Sequence, residues 1–271
     1  MTIATAWVGT RSDGVSHLYF ASDSRTRGGC VFDSCPKVLT LPRSDSAICF
    51  AGELDWSYPL MVQISNAIAA HQPSRTRHLD IAQLKDHLVR LTTDLVASIA
   101  DRMIDFDATS ATFIFGGYSW RASMFLVWTL TYDATRKVFV ARPNQNFHAK
   151  LDQAAFIGDW AAKFRSRLHQ SLTRDEHDAI HPEHLPLIEL SQLLTETNQD
   201  DSIGGPPQVV RIGAHMNTRA FCVPWGTPPQ KTIFGRKLFD YENCDYWSLD
   251  PFTGVISPPD PIGPREAELV E

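Results

Sequence analysis

The sequence predicts an α+β fold with segregated layers, and three observations carry that prediction. Short period-two runs of β-branched and aromatic residues fill the first fifty positions. The apolar spacing then lengthens to three and four from Leu54 to Met103, and short strand-like runs return from Ala111 onward. Runs of strands followed by runs of helices mark segregated layers, whereas a parallel α/β sheet alternates the two regularly.

Thr2 to Val8 and Ser16 to Ser22 read as strands, with the turn pair Asp13-Gly14 between them. Lys37 to Leu41 and Ala47 to Ala51 read as two more, around Pro42 and the polar turn Arg43-Ser44-Asp45-Ser46. A first helix is expected with Ser57 as N-cap and Pro59 in its first turn, burying Leu54, Tyr58, Met61 and Ile68. After His71-Gln72-Pro73-Ser74, Asp80 is placed to cap a second helix, in which Ile81, Leu84, Leu88, Leu91, Leu95, Ile99 and Met103 form one apolar stripe. Strands follow at Ala111 to Phe115, ended by Gly116-Gly117, and at Met124 to Tyr132, Lys137 to Ala141 and Ala154 to Ile157. Helices are expected from Trp160 to Gln170 and from Leu185 to Leu194, then a strand at Gln208 to Ile212. Eight of the seventeen prolines lie beyond Val223, so residues 224–271 are expected to form a mostly irregular extension of a domain spanning 1–223. The aromatics Phe234, Phe239, Tyr241, Tyr246, Trp247 and Phe252 imply that part of this extension packs down.

Composition narrows the function. The 271 residues are 43% hydrophobic and 21% charged, a globular and not a disordered profile. With 25 basic against 31 acidic residues, the net charge of -6 gives no electrostatic reason to expect nucleic acid or a membrane surface as partner. The cysteines at 30, 35, 49, 222 and 244 form neither a disulfide framework nor a zinc pattern, no segment approaches the roughly 20 apolar residues of a membrane span, and a cytoplasmic protein with reduced thiols is expected.

The motifs that carry chemistry are Thr2-Ile3-Ala4, then Ala21-Ser22-Asp23-Ser24-Arg25-Thr26, then Lys37-Val38, then Ala51-Gly52 ahead of the first helix. In this order, each at an element boundary, they resemble the β-type subunits of proteasomes, members of the N-terminal nucleophile (Ntn) hydrolase superfamily, over about residues 2 to 213. Within that family the chain is most similar to the bacterial proteasome-like branch called Anbu, and less closely to the HslV peptidase.

The resemblance implies a four-layer αββα sandwich and a threonine-type peptidase whose nucleophile, Thr2, is exposed by removal of Met1. A free α-amino group, with a pKa of about 7.7 to 8.0, is already a base near neutral pH, so Thr2 could supply both hydroxyl and base. Lys37 would stand beside it as a fixed cation and Asp23 would hold Lys37 in place. Arg25, on the same face if the strand continues, would complete that charge network. The backbone N–H of Gly52 is the candidate oxyanion donor. Asp159 replaces the serine usual in the family's turn near the nucleophile. Asp200 or Asp201 matches an acidic position before Gly204-Gly205, where Ile203 departs from the common serine. Thr2→Ala and Lys37→Ala are both expected to abolish turnover with folding largely intact. The resemblance further implies a peptide or amide substrate, no metal or organic cofactor, a homo-oligomeric ring or helical stack, and for some relatives an ATP-dependent unfoldase. A catalytically inactive scaffold subunit and a small-molecule amidase are the alternatives.

His177, His181 and His184 invite comparison with a metal site, but Pro182 interrupts the helix that an i,i+4 pair needs and no HExxH glutamate is present, so a solvated loop is expected. Cys30 and Cys35 lack CxxC spacing and read as ordinary thiols.

Overall fold

The computed structural model describes residues 2–27, 30–99, 108–145, 147–151, 153–174, 181–239, 241–242 and 244–259. Met1, Met103, His177 and the end of the chain, on which some of the expectations above fall, lie outside the described residues.

Strands β1 (Ile3–Thr10) and β2 (Ser16–Ser22) form the expected hairpin. The small pair β3 (Thr26–Arg27) and β4 (Val31–Phe32) follows, then β5 (Val38–Thr40) and β6 (Ser46–Ala51). Helix α1 runs over Leu54–Ala70, the short α2 over Gln72–Arg75 and α3 over Ile81–Ala97. Next come β7 (Thr112–Ser119), β8 (Met124–Asp133), β9 (Val138–Pro143), β10 (Ala154–Gly158), α4 (Ala161–Thr173), α5 (Leu185–Thr195) and β11 (Gln208–Gly213). The chain continues through β12 (Thr218–Ala220), β13 (Val223–Trp225), β14 (Gln230–Ile233), β15 (Arg236–Lys237), β16 (Ser248–Leu249) and β17 (Ile256–Ser257).

Two five-stranded antiparallel sheets dominate, in the orders β10-β1-β2-β11-β12 and β5-β6-β7-β8-β9. Side chains alternate across a strand, so β1 divides its residues between two cores. Ala4 and Ala6, with Leu18 and Phe20 of β2, join Cys49, Ile114 and Val127 of the other sheet in one cluster. Ile3 and Trp7, with Tyr19 and Ala21, meet Phe164, Leu168, Leu187 and Leu190 of α4 and α5 in a second. Ile48 and Phe50 of β6 and Phe113 of β7 meet Met61, Ile64, Leu84 and Leu88 of α1 and α3 in a third. Both faces of the central strands are therefore covered, which is why their sequences read as nearly continuous apolar runs.

Several expectations need correction. Ser57 lies buried inside α1, whose N-cap is Glu53, and Pro59 is an interior residue; the helix begins one turn earlier than the capping signal implied. Helix α3 ends at Ala97; Thr92 and Val96 are its fully buried residues in the later turns, and the expected Leu91, Leu95 and Ile99 pack partly buried against the same core, because a 3.6-residue period drifts off any fixed spacing. Gly116 and Gly117 continue β7, paired with Ala47 and Ser46. The C-terminal segment holds a three-stranded sheet, β13-β14-β15, and β13 crosses position 223. Of the aromatics expected to pack down, Phe234 lies partly buried against the core beside the buried Ile233, while Phe239, Tyr241, Tyr246, Trp247 and Phe252 are exposed.

Candidate functional site

The first strand delivers Thr2 to one end of its sheet, and the loop after β2 turns back over that same end. Asp23 is the hub of the junction. Its Oδ1 accepts the Ile3 N–H at 3.0 Å and the Lys37 Nζ at 2.8 Å, so the lysine ammonium stands beside the peptide that joins Thr2 to Ile3. Its Oδ2 accepts the N–H groups of Arg25 at 3.1 Å and Gly204 at 3.2 Å. Four donors from four chain segments thus fill one carboxylate. Thr2 is 1% exposed and both Asp23 and Lys37 are fully buried. Burial is the largest influence on the Asp23 carboxyl and raises its pKa, while the Lys37 charge and the Ile3 and Gly204 amides oppose it.

Gly158, at the end of β10, explains how Thr2 is held from the other side. It adopts φ +99°, and a Cβ there would fall 1.9 Å from the Thr2 carbonyl oxygen, so no side chain fits. Asp159, its neighbour, is exposed. Gly52 stands half-buried at the junction between β6 and α1.

Arg25 is placed differently from the expectation. Strand β2 ends at Ser22, so period-two reasoning does not carry past it, and only the backbone N–H of Arg25 reaches Asp23. Its guanidinium forms a two-pronged pair with Asp33, at 2.7 and 2.9 Å, and donates to the carbonyls of Asn198, Asp201 and Ile203. Asp201 thus joins through its main chain, and its carboxylate takes the Asn198 N–H at 2.8 Å. The Asp200 side chain is exposed.

Two participants had no signal in the sequence. Asp33 is one. The other is Gln208, buried at the start of β11, whose Oε1 accepts the Lys37 N–H at 2.9 Å and whose Nε2 donates to the Cys35 carbonyl at 2.6 Å and Ser24 Oγ at 3.0 Å. The C-terminal segment leans on this same support: Gly235, at φ +85°, comes so close that a Cβ would lie 2.2 Å from Ser24 Oγ. Between β5 and that segment lies a cavity of about 440 Å³ lined by Pro36, Val38, Leu39, Ile233 and Phe234.

The two candidate thiols stand apart in character, Cys30 exposed and Cys35 buried, and burial pushes the Cys35 thiol pKa up, away from a reactive thiolate. His181 and His184 turn toward Glu183, at 4.0 and 3.3 Å, and among the described residues no group of three or more His, Cys, Asp or Glu is arranged to hold a metal ion. No described helix is long and apolar enough to cross a membrane.

No model of a known protein family matches this chain, and no curated protein matches it. Among solved structures it is similar to an Anbu mutant from Hyphomicrobium sp. strain MC1, with a TM-score of 0.55 and 17% identity over 80% of this chain and 86% of that one. The chain shares the fold of that structure. At that identity the likeness speaks for the fold alone.

Proposed function

We propose that the protein is an N-terminal threonine hydrolase, a peptidase of proteasome β-subunit type, with Thr2 as nucleophile after removal of Met1. The observation that carries this reading is the buried Lys37–Asp23 pair anchored on the Thr2–Ile3 peptide. The two sheets with helices packed on their outer faces support the four-layer αββα sandwich that this chemistry uses elsewhere in the superfamily.

In this mechanism the freed Thr2 amine accepts the proton of its own hydroxyl as Oγ1 attacks the substrate's carbonyl carbon. Lys37, fixed by Asp23, lowers the pKa of both Thr2 groups and stabilises the developing negative charge. The Gly52 N–H donates to the oxyanion, and the Thr2 ammonium returns its proton to the leaving amine. Water then takes the place of the leaving amine, the Thr2 amine removes its proton as it attacks the Thr2 ester, and the Thr2 ammonium returns that proton to Oγ1 as the C–Oγ1 bond breaks and the acid leaves. Asp23, Arg25, Asp33, Asp201 and Gln208 act by position. Asp159 and Asp200 are assigned no step. The same reading places the protein in a cytoplasmic homo-oligomer, a ring or helical stack, acting on peptide or amide substrates, with an ATP-dependent unfoldase as a further partner.

Thr2→Ala is expected to lower hydrolysis of a peptide-amide panel to background while the far-ultraviolet circular dichroism spectrum and the elution volume stay those of the parent. Undiminished hydrolysis by Thr2→Ala overturns the mechanism. The alternative reading is a catalytically silent subunit that keeps the fold. Under that reading the parent protein is as inactive as the variant against every member of the panel.

A further inference from the structure

A second polar site lies at the opposite end of β1 from Thr2. Arg11 follows the last residue of that strand, nine positions from Thr2 and roughly 30 Å away along an extended chain. Across the sheet, Trp7, Tyr19, Arg211 and Arg219 stand directly opposite one another on β1, β2, β11 and β12. The Trp7 and Tyr19 rings stack at 5.2 Å, but the next pair in the row is two guanidinium side chains. Like charges directly opposite on neighbouring strands are destabilising, and no described carboxylate lies within ion-pair distance of either arginine.

Arg11, Arg211 and Arg219 line one cavity of about 420 Å³, together with Glu183, His184, Trp247 and Ile256. Glu183 is already engaged: its carboxylate accepts the Tyr19 hydroxyl at 3.2 Å and lies 3.3 Å from His184, 3.7 Å from His17 and 3.9 Å from Arg11. Arg11 also stands 3.7 Å from the half-exposed Asp13. Guanidinium groups stay charged, so one buried carboxylate leaves the cavity with surplus positive charge. Trp247 and Ile256 give it an apolar wall.

We propose that this cavity binds a small organic oxyanion, a phosphate or carboxylate group carried on an apolar or aromatic body. Guanidinium forks match both groups in two-pronged geometry, and the volume falls within the range of small-molecule pockets. An anion between Arg211 and Arg219 would convert an unfavourable cross-strand pair into a clamp. The site is independent of Thr2 chemistry and holds whether or not the chain is a hydrolase.

Titration calorimetry of the full chain with phenyl phosphate, benzoate and inorganic phosphate tests this. The proposal expects saturable binding of phenyl phosphate or benzoate at one site per chain, the stronger of the two identifying the head group, and weaker binding of inorganic phosphate, which cannot use the Trp247 wall. Arg219 is exposed, so Arg219→Gln is expected to fold. It should lower the affinity at least tenfold, and the melting temperature without ligand should not fall, because the opposed charges are relieved. Arg136→Gln, at an exposed turn outside the cavity, should bind like the parent. Absence of saturable binding by both organic anions, or equal affinity in the parent and Arg219→Gln, overturns the proposal; equal affinity for phenyl phosphate and inorganic phosphate overturns its apolar-body half.

Discussion

Lys37 reaches Asp23 with no water-exposed surface on either side chain, and this determines what its removal does. Truncating one member of a buried ion pair leaves the other charge unpaired and typically costs about 3 to 5 kcal/mol. Lys37→Ala is therefore predicted to lose stability of that order as well as activity, in contrast to the intact folding expected from sequence. Urea unfolding measures it, and a loss below about 1 kcal/mol would contradict the buried pairing. The proximity of Asp23 and Lys37 was legible because both sit in short motifs near element boundaries, whereas the direction of the Arg25 side chain was not. Gln208 and Asp33 were not, because nothing local marks them: Gln208 contacts Lys37 across 171 positions, and Asp33 gains meaning only once Arg25 turns away from the strand direction.

Among the elements, α3 shows which signals survive folding. Asp80 caps it as read from sequence, its carboxylate accepting the Ala82 N–H while Gln83 returns a bond to the Asp80 N–H. The same carboxylate accepts the Ser119 hydroxyl at 3.0 Å, tying the helix to the end of β7. Asp80→Ala is predicted to cost about 1 to 2 kcal/mol, read from the shift in urea midpoint; an unchanged midpoint would show the cap to be dispensable. Ser57 carried a similar signal and misled, since a serine two residues before a proline is equally compatible with the fourth position of a helix that starts at Leu54. The longer strands were legible from composition, whereas the short β3, β4 and β12 and the small strands β13 to β17 were not, because their pairing depends on the domain around them.

For the whole molecule, burial holds the pKa of His87, His148 and His184 below the ordinary histidine value. The unfolded chain binds protons at these sites first as pH falls through about 6.5, so their contribution to stability is present above that value and lost below it. His184→Gln is predicted to lose less stability than the parent between pH 7.5 and 5.5, and equal losses in paired denaturation curves would refute the assignment. Segregated layers were implied by the order of elements, but the C-terminal segment's seat against Ser24 and Gln208 was not, because it depends on a contact between residues far apart in sequence.

Mass spectrometry of the native protein before and after treatment with a peptide epoxyketone tests the central claim most directly, because that warhead needs a hydroxyl and a free amine on one residue. The account predicts a mass lacking one methionine and a single adduct on the peptide beginning at Thr2. An active protein that retains Met1, or one that hydrolyses peptides yet forms no adduct there, would contradict it.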